Sequence, residues 1–506
     1  MVKKIGISIL VAFFALTNEA QQVLRKIGFD ADIMEVSKYI APDAKRLIGN
    51  VMFKHEGVIM YCDSAYFYAE CNALDAFSHV YINKGDTLHL YADTVRYDGN
   101  TKMAKSRSNV KFIKKETTLY TNYLDFDMNT NTGYYQNKGK IVNTKDTLYS
   151  TIGHYYANED IFHFKDSVKI VAPDYTIYAD TMHYQAITKT AYFYGPTHIL
   201  SDSNYIYGEL GWYNTQSDIS KINKNAFLKR KAQTLRGDTI LYNRNTGNGE
   251  AFNNVDLYDS VEKVILRGRY GMYNEISQSA LMTDSAHFIQ ISEKETGVLD
   301  SLFVHGDTLR SAKDSSGLYK VIRVYYRVKI FKSDLQGMCD SLTYTEKDSV
   351  MRFYTEPILW SEENQITADF IELYMGKNRA DSIKMYNNAF IISCEDSVRF
   401  NQIKGKLMTG YFRNNELYII NVKGNGETIY YAKDEDDIIG VNKAVSTDLV
   451  ICLQEKKVKR IKFITSPEAT FFPLDQVAME DLILKGFLWQ DKHRPRSKMQ
   501  IFTWTK

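Results

Sequence analysis

Acidic side chains at a regular spacing are the residues of this chain that first suggest chemistry. They occupy equivalent positions in copies of a short motif: Asp63, Asp93, Asp180, Asp238, Asp340 and Asp369. A row of carboxylates offers oxygen ligands to Ca²⁺ or accepts hydrogen bonds from a sugar. Thr151, Glu209 and Arg269 interrupt the row in other copies. The pattern therefore favours a structural role at a backbone corner, because Asp followed by Ser or Thr can bond to nearby backbone.

The sequence carries no signature of an enzyme or of a metal site. Its ten His residues are scattered, and no pair has the spacing of a metal-binding H-E-x-x-H motif. Nucleophile-elbow, P-loop and dinucleotide-binding motifs are also missing. The formal net charge is +2 with both signs well mixed, so no strong field favours nucleic acid. We therefore expect a protein without catalytic residues, cofactor, bound metal or nucleic-acid partner.

The cysteines do not form a disulfide framework or a redox motif. They are few and scattered: Cys62, Cys71, Cys339, Cys394 and Cys452. Cys62 and Cys339 stand immediately before the recurring Asp, where other copies have Ala, Ser, Thr or Gly. A tight backbone turn requires a small inward residue at that position. The sequence therefore predicts two small core residues, with a Cys62–Cys71 pair as the alternative.

An internal repeat defines the elements that would position these residues. A small residue, a polar residue and, four positions later, an aromatic residue recur with the polar residue at 63, 93, 122, 151, 180, 209, 238 and 269. The pattern is irregular between 270 and 335, where residues 305–308 resemble a displaced copy and 312–318 an inserted loop, and it resumes at 340 and 369. We expect about a dozen units of roughly 29 residues, which must stack because one unit cannot bury its own apolar face.

Each unit has the pattern of bent β-strands. Leu88, Leu90 and Ala92 alternate with polar residues, and Val95 and Tyr97 alternate out of phase with them. Because the step from 92 to 95 is odd, the chain must change faces at 93–94, which requires a bulge or corner. Tyr and Phe are abundant, at 37 and 26, while Pro is rare at 7. The sequence predicts an elongated all-β solenoid with three or four short strands per unit and one modest helical candidate, 474–488.

The aromatic residue of each unit forms a stripe through the repeats: Phe67, Tyr97, Phe126, Tyr155, Tyr184, Tyr213, Tyr242 and Tyr273. Stacked rings in a filled core would explain the stripe, and so would one wall of an apolar groove that holds acyl chains. We take the inward positions of three units as groove candidates: Leu88, Leu90, Val95, Tyr97, Ile177, Met182, Tyr184, Leu235, Ile240 and Tyr242.

The N-terminus has the pattern of a secretory signal. Lys3 and Lys4 precede an apolar run from Ile5 to Leu16, which is too short to span a bilayer, and cleavage is expected after Ala20. An N-terminal membrane anchor is the alternative. The expected organisation is a signal peptide at 1–20, a regular repeat region at 40–290, a less regular repeat region at 291–465 and a C-terminal tail at 466–506.

The combination of these features resembles the organic-solvent-tolerance (OstA) family, which includes the periplasmic lipopolysaccharide-transport protein LptA and the N-terminal region of the outer-membrane translocon LptD. The resemblance rests on the exported N-terminus and on strand signatures such as Tyr-Ala-Asp-Thr at 91–94 and Asn-Val-Lys-Phe at 109–112. Met-Cys-Asp-Ser-Leu at 338–342, Pro-Ile-Leu-Trp at 357–360 and Lys-Gly-Phe-Leu-Trp at 485–489 are similar to the long version found in Bacteroidetes-type bacteria.

The resemblance implies a β-jellyroll, or taco, whose two walls enclose an apolar groove. It implies a non-enzymatic protein, in the periplasm or associated with the outer membrane, that holds the lipid A acyl chains of lipopolysaccharide during outer-membrane assembly. Other lipopolysaccharide-transport proteins would join it by end-to-end β-strand pairing. The alternatives are a parallel β-helix enzyme that acts on polysaccharide, and a structural β-solenoid scaffold or adhesin with a filled interior.

Overall fold

The computed structural model describes residues 26–504, except for positions 38, 40–42, 86–87, 144–145, 293–296, 298, 377–378, 397, 414–415, 435–436 and 455–456. The predicted signal peptide lies outside the described residues. The chain divides into two compact units after Ala172, and each unit is described by itself. The predicted divisions near 290 and 465 fall within the second unit. Among the described residues, no helix has the length and apolar character needed to cross a bilayer.

The first unit is built from antiparallel strands. Their bounds are β1 (Gly28–Asp30), β2 (Ile33–Val36), β3 (Lys45–His55), β4 (Val58–Tyr68), β5 (Ala73–Asn83), β6 (Leu88–Asp98), β7 (Met103–Lys114), β8 (Thr117–Asp127), β9 (Thr132–Tyr135), β10 (Gly139–Val142), β11 (Thr147–Ser150), β12 (Ile152–Tyr156) and β13 (Ile161–Val171).

The second unit begins with strands of the same kind. Their bounds are β14 (Tyr175–Gln185), β15 (Thr190–Ser201), β16 (Tyr205–Asn214), β17 (Ile219–Arg230), β18 (Gln233–Asn243), β19 (Asn248–Asp259), β20 (Val264–Asn274), β21 (Ser279–Thr283), β22 (His287–Gln290), β23 (Leu302–His305), β24 (Thr308–Lys313) and β25 (Lys320–Phe331).

The remaining strands of the second unit include the longest among the described residues. Their bounds are β26 (Gln336–Thr345), β27 (Val350–Tyr354), β28 (Ile358–Ser361), β29 (Asn364–Thr367), β30 (Phe370–Gly376), β31 (Arg379–Cys394), β32 (Phe400–Arg413), β33 (Glu416–Asp434), β34 (Asp437–Gln454), β35 (Lys457–Ile464) and β36 (Glu468–Phe472). The tail then forms 3₁₀ turns at Leu474–Gln476, Met479–Leu482, Asp491–His493 and Gln500–Phe502, in place of the helix expected at 474–488.

Neighbouring strands pair antiparallel throughout the described ladders, in a meander. For example, β6 pairs with β5 before it and with β7 after it. The parallel β-helix alternative is therefore wrong for the described residues. Each repeat of 29 residues supplies two strands of about eleven residues, for example β6 and β7. Each of these strands is bent at a corner into two arms. The four arms of a repeat account for the three or four short strands that were expected.

The predicted change of face occurs at the Asp corner. In β6, Leu90 and Ala92 are buried before the corner and Val95 and Tyr97 after it, and the pairing with β7 shifts between Tyr91 and Thr94. Both arms of the strand therefore present apolar side chains to the same interior. The predicted all-β fold with curved walls is confirmed.

The second strand of a repeat turns by a different device, which is a pair of consecutive residues with positive φ. In β7 these are Ser108 and Asn109, at φ 59° and 50°. Equivalent pairs occur in both units: Ser78–His79, Asp166–Ser167, Lys224–Asn225, Asn253–Asn254, Asp284–Ser285, Tyr326–Arg327, Thr355–Glu356 and Asn387–Asn388. This left-handed corner lies directly opposite the Asp corner of the preceding strand.

The irregular region keeps the same plan. Asp307 separates β23 from β24 as an Asp corner, and its backbone N–H donates to the carbonyl oxygen of Tyr326 at 3.1 Å. The predicted displaced copy at 305–308 is therefore confirmed. The loop expected at 312–318 is shifted, because β24 continues to Lys313.

Candidate functional site

The recurring carboxylates form hydrogen bonds across the corners. The side-chain amide of Asn109 donates to Asp93 at 2.7 Å, and that of Asn254 donates to Asp238 at 3.0 Å. Asp63 is bonded to His79 in the same way, at 2.7 Å. Among the described residues, no group of three or more His, Cys, Asp or Glu side chains is arranged to hold a metal ion. The carboxylates thus join the two kinds of corner, as expected from a structural role.

The cysteines before the corner Asp are buried in the interior. Cys62 lies opposite Val51, and Cys339 lies opposite Val328. Burial raises the pKa of the Cys62 thiol to about 11, and it also raises the pKa of the Cys339 thiol. Both thiols are therefore protonated at neutral pH and pack as small core groups.

In the first unit, the aromatic stripe closes the space between the two arms. The rings of Phe53 and Phe67, which lie on opposite arms, are 6.2 Å apart between centroids, and those of Phe112 and Phe126 are 6.1 Å apart. The hydroxyl of Tyr97 forms a 2.7 Å hydrogen bond with Nδ1 of His55 on the other arm. Inward side chains from β3 to β9 therefore belong to one continuous buried cluster.

The first repeats of the second unit are closed in the same manner. The side-chain amide of Asn204 donates to the hydroxyl of Tyr242 at 2.8 Å. The rings of Tyr175 and Tyr213 meet edge to face at 5.3 Å. In these repeats the stripe acts as a set of bridges between the arms.

The ten groove candidates all lie on inward positions of these closed repeats. Eight are buried: Leu90, Val95, Tyr97, Ile177, Met182, Leu235, Ile240 and Tyr242. Leu88 and Tyr184 are half-buried. None of the ten lines the cavity described next. They could form a groove wall only if the arms of these repeats separated, and their role in lipid binding stays a prediction.

The arms do separate farther along the second unit and leave a cavity of about 680 Å³. Side chains from both arms of successive strands line it, beginning near Phe288 and ending near Ile461. Leu359, Ile366 and Ile391 come from one wall, and Leu373 and Ile383 from the other. The volume lies within the range of about 300–1,000 Å³ typical of small-molecule sites.

Charged residues surround this apolar space where hairpins connect the strands. Nζ of Lys332 lies 3.0 Å from Asp334 and 3.4 Å from Asp300. Lys433 forms an ion pair with Glu395. An apolar interior with a charged rim suits an amphiphile, whose tail leaves water while its polar head stays at the rim.

Sequence reasoning placed the groove candidates in the most regular repeats and missed the lining of the cavity. One signal was present: at 373 an aliphatic Leu replaces the aromatic residue of the stripe. Leu373 lines the cavity, whereas Phe67 and Tyr97 bridge the arms. Tyr344, the aromatic residue of the stripe in the preceding copy, lines the cavity as well, so Leu373 alone did not identify the repeats whose arms lie apart.

Comparison with known proteins gives one family and a distant structural likeness. The model of a family described as OstA-like protein matches residues 26–180 and 201–296. No curated protein matches the chain. Twelve chains of solved structures match. One is LptH of Pseudomonas aeruginosa, described as the LptA-homologous periplasmic component of the lipopolysaccharide transport device. It has 14% identity, covers 32% of this chain and 76% of its own, and has a TM-score of 0.12.

Proposed function

The chain belongs to the OstA-like family over residues 26–180 and 201–296, and on this premise we propose that it carries lipopolysaccharide toward the outer membrane. In this proposal it acts in the periplasm and catalyses no reaction. The lipid A acyl chains occupy the cavity between the arms of the second unit, and the sugars stay outside. The observation that carries the proposal is the apolar cavity with its charged rim in a chain whose earlier repeats are filled.

Hydrophobic transfer would supply the driving force for loading. Each CH₂ group moved from water into the cavity contributes about 0.8 kcal/mol. Aliphatic side chains such as Ile366, Leu373 and Ile391 offer this surface. Ion pairs such as Lys332–Asp334 stand where the polar part of the lipid would leave the cavity.

Site-specific photo-crosslinking tests the proposal. A photoreactive residue at Leu373 or Ile391 is expected to form an adduct with lipopolysaccharide, because both side chains line the cavity. Lys384, which alternates with the inward Ile383 on the same strand, is the matched outward control. Leu90 tests whether the closed repeats also admit lipid. A folded protein that forms no adduct at 373 or 391 would contradict the proposal.

Docking to other transport proteins would use the terminal strands. β36 is exposed over Glu468–Thr470, and β2 is exposed along its length. Sheet edges of this kind can accept a strand from another chain. A photoreactive residue at Thr470 in cells is expected to capture another protein with the same repeat. Capture at the outward Lys384 instead would show that contact does not occur at the sheet edge.

A structural scaffold is the second candidate function, because the interior of the first unit is filled. The substitution Ile391→Trp separates the two functions. A lipid carrier loses lipid binding and its function when the indole fills the cavity. A scaffold binds no lipid there and keeps its function in the variant. Far-ultraviolet circular dichroism verifies that the variant is folded.

A further inference from the structure

The outer face of the first unit carries a row of Tyr and Lys side chains in exact register. We call it the outer ladder: Tyr61, Tyr81, Tyr91, Lys111, Tyr120, Lys140, Tyr149 and Lys169. Each member lies directly opposite the next across a strand pair. From Tyr91 onward Tyr and Lys alternate strictly. Eight neighbouring strands at about 4.8 Å make a row about 34 Å long.

The rings of the ladder stand against one another and not flat on the surface. Tyr61 and Tyr81 stack at 6.1 Å with 13° between their planes, and Tyr81 and Tyr91 stack at 4.9 Å with 21°. Lys111 Nζ lies 6.0 Å from the ring of Tyr91 and 5.9 Å from that of Tyr120. Since neighbours stand against the rings from Tyr61 to Tyr120, this part of the ladder offers solvent mainly ring edges, hydroxyls and ammonium groups.

The ladder is at least partly exposed along its length and is positively charged. Tyr91, Tyr120 and Tyr149 are 41%, 43% and 39% exposed. The ladder contains three lysines and no carboxylate, and its lysines recur every second strand, about 10 Å apart. Asp63 and Asp93 lie one outward position away, and each is already bonded to a corner side chain, His79 or Asn109.

The equivalent wall of the second unit is a contact surface that the chain's own tail covers. Lys329 Nζ donates to the carbonyl oxygen of Thr503 at 2.8 Å, and the ring of His305 lies 4.8 Å from that of Phe502. Gln336 accepts a hydrogen bond from Arg494 at 2.7 Å. His305 and Gln336 precede an Asp corner, as Tyr91 does, and Lys329 follows a left-handed corner, as Lys111 does. The same wall in the first unit presents Tyr and Lys to solvent.

We propose that the outer ladder binds an anionic saccharide chain of the kind that lipopolysaccharide carries, an inference that rests on the proposed function. Tyr hydroxyls and Lys ammonium groups donate hydrogen bonds to phosphate or carboxylate groups. The length of the row fits an extended chain with repeated charges. Single-stranded nucleic acid fits less well, because it needs open ring faces for base stacking.

Isothermal titration calorimetry at low salt with a phosphorylated oligosaccharide, freed of acyl chains, tests this proposal. The charge reversal Lys111→Glu, Lys140→Glu and Lys169→Glu is expected to weaken binding at least tenfold. The matched control is Lys105→Glu, Lys115→Glu and Lys165→Glu, at exposed positions outside the ladder, which changes the net charge equally. Added salt should weaken wild-type binding. Equal loss in both variants would overturn the proposal.

Two further measurements separate this proposal from the proposed function. The triple substitution Tyr91→Phe, Tyr120→Phe and Tyr149→Phe keeps the rings and removes the hydroxyls, and it should weaken oligosaccharide binding several-fold. A fluorescent fatty acid reports on the cavity alone and should bind all variants equally. If the oligosaccharide does not bind the wild type while the fatty acid does, the ladder proposal fails alone. If the fatty acid does not bind, the proposed function fails.

Discussion

At the scale of residues, the corners explain why polar side chains recur in an otherwise apolar repeat. Asn and Asp tolerate positive φ better than other residues with a side chain. The left-handed corners accordingly contain Asn109, Asn225, Asn254 and Asn388. All four donate their side-chain amide to the acidic residue at the facing corner. The sequence therefore selects Asn for both its backbone conformation and its hydrogen bond.

Substitution of Asn254 tests these two contributions separately. Asn254→Ala should destabilise the local structure by about 2 kcal/mol, because it loses a hydrogen bond and places a Cβ in the left-handed region. Asn254→Gly should lose about 1 kcal/mol, because glycine accepts positive φ. Asp238→Ala is the control that removes only the hydrogen bond. Hydrogen exchange in β18 and β19 measures the changes, and equal losses for Ala and Gly would contradict the strain argument.

At the scale of elements, the tail is held to the second unit by buried glutamines. Gln402 donates to the carbonyl oxygen of Leu482 and accepts from the backbone N–H of Leu484, each at 2.9 Å. Gln365 forms the same pair of bonds with Leu488 and Gln490, each at 2.7 Å. Each glutamine side chain thus forms the two hydrogen bonds that a neighbouring strand would otherwise form with the backbone of the tail.

Loss of one such glutamine should loosen the tail. Gln402→Leu leaves a buried N–H and a buried C=O unpaired, which costs about 1–2 kcal/mol. The open population should rise roughly 5–30-fold, and trypsin should cleave after Lys485 faster by the same factor. Gln476→Leu, at an exposed tail position, is the control. Unchanged cleavage in Gln402→Leu would show that the bonds do not hold the tail.

Acid should release the end of the tail. Burial lowers the pKa of His287 and of His305, which both contact the ring of Phe502. Both are therefore neutral in the fold, while the unfolded chain binds protons below about pH 6.5. The stabilisation is complete above that pH and declines as the pH falls below it, toward the lowered pKa values.

Hydrogen exchange of residues 499–504 between pH 8 and pH 5 measures this release, after correction for the intrinsic pH dependence of exchange. The double substitution His287→Asn and His305→Gln should remove the pH dependence. His493→Gln, in the same tail, should keep it. A wild-type tail whose protection is constant from pH 8 to pH 5 would contradict the argument.

At the scale of the whole molecule, the same type of repeat encloses two kinds of interior, one filled and one hollow. In the first unit aromatic rings bridge the arms and the interior is filled, whereas farther along the second unit the arms separate and leave a cavity. Leu74→Ala in the filled part creates a new void and should cost about 4 kcal/mol, while Ile366→Ala enlarges an existing cavity and should cost about 2 kcal/mol. Local hydrogen exchange compares the two, and equal costs would argue that the cavity collapses in solution.

Sequence patterns sufficed for features that depend on neighbouring residues. The 29-residue period, the change of face at 93–94 and the small residues at Cys62 and Cys339 each follow from alternation within one strand. The path of the tail could not be predicted from the sequence, because it depends on contacts between residues far apart in the chain, such as Gln402 and Leu484. The cavity did not follow either, since it depends on the separation of two arms, to which Leu373 gives only a local hint.

The pairing of an Asp corner with a left-handed corner also bears on how such a chain evolves. Two strands return the backbone to its starting side after 29 residues, so in-frame duplication of one such segment adds a complete module with its corner contacts intact. Duplication of half a segment would place two corners of the same kind side by side and reverse every strand that follows. Inheritance should therefore favour gains and losses of whole modules, and each new module is free to become a filled spacer or a hollow one.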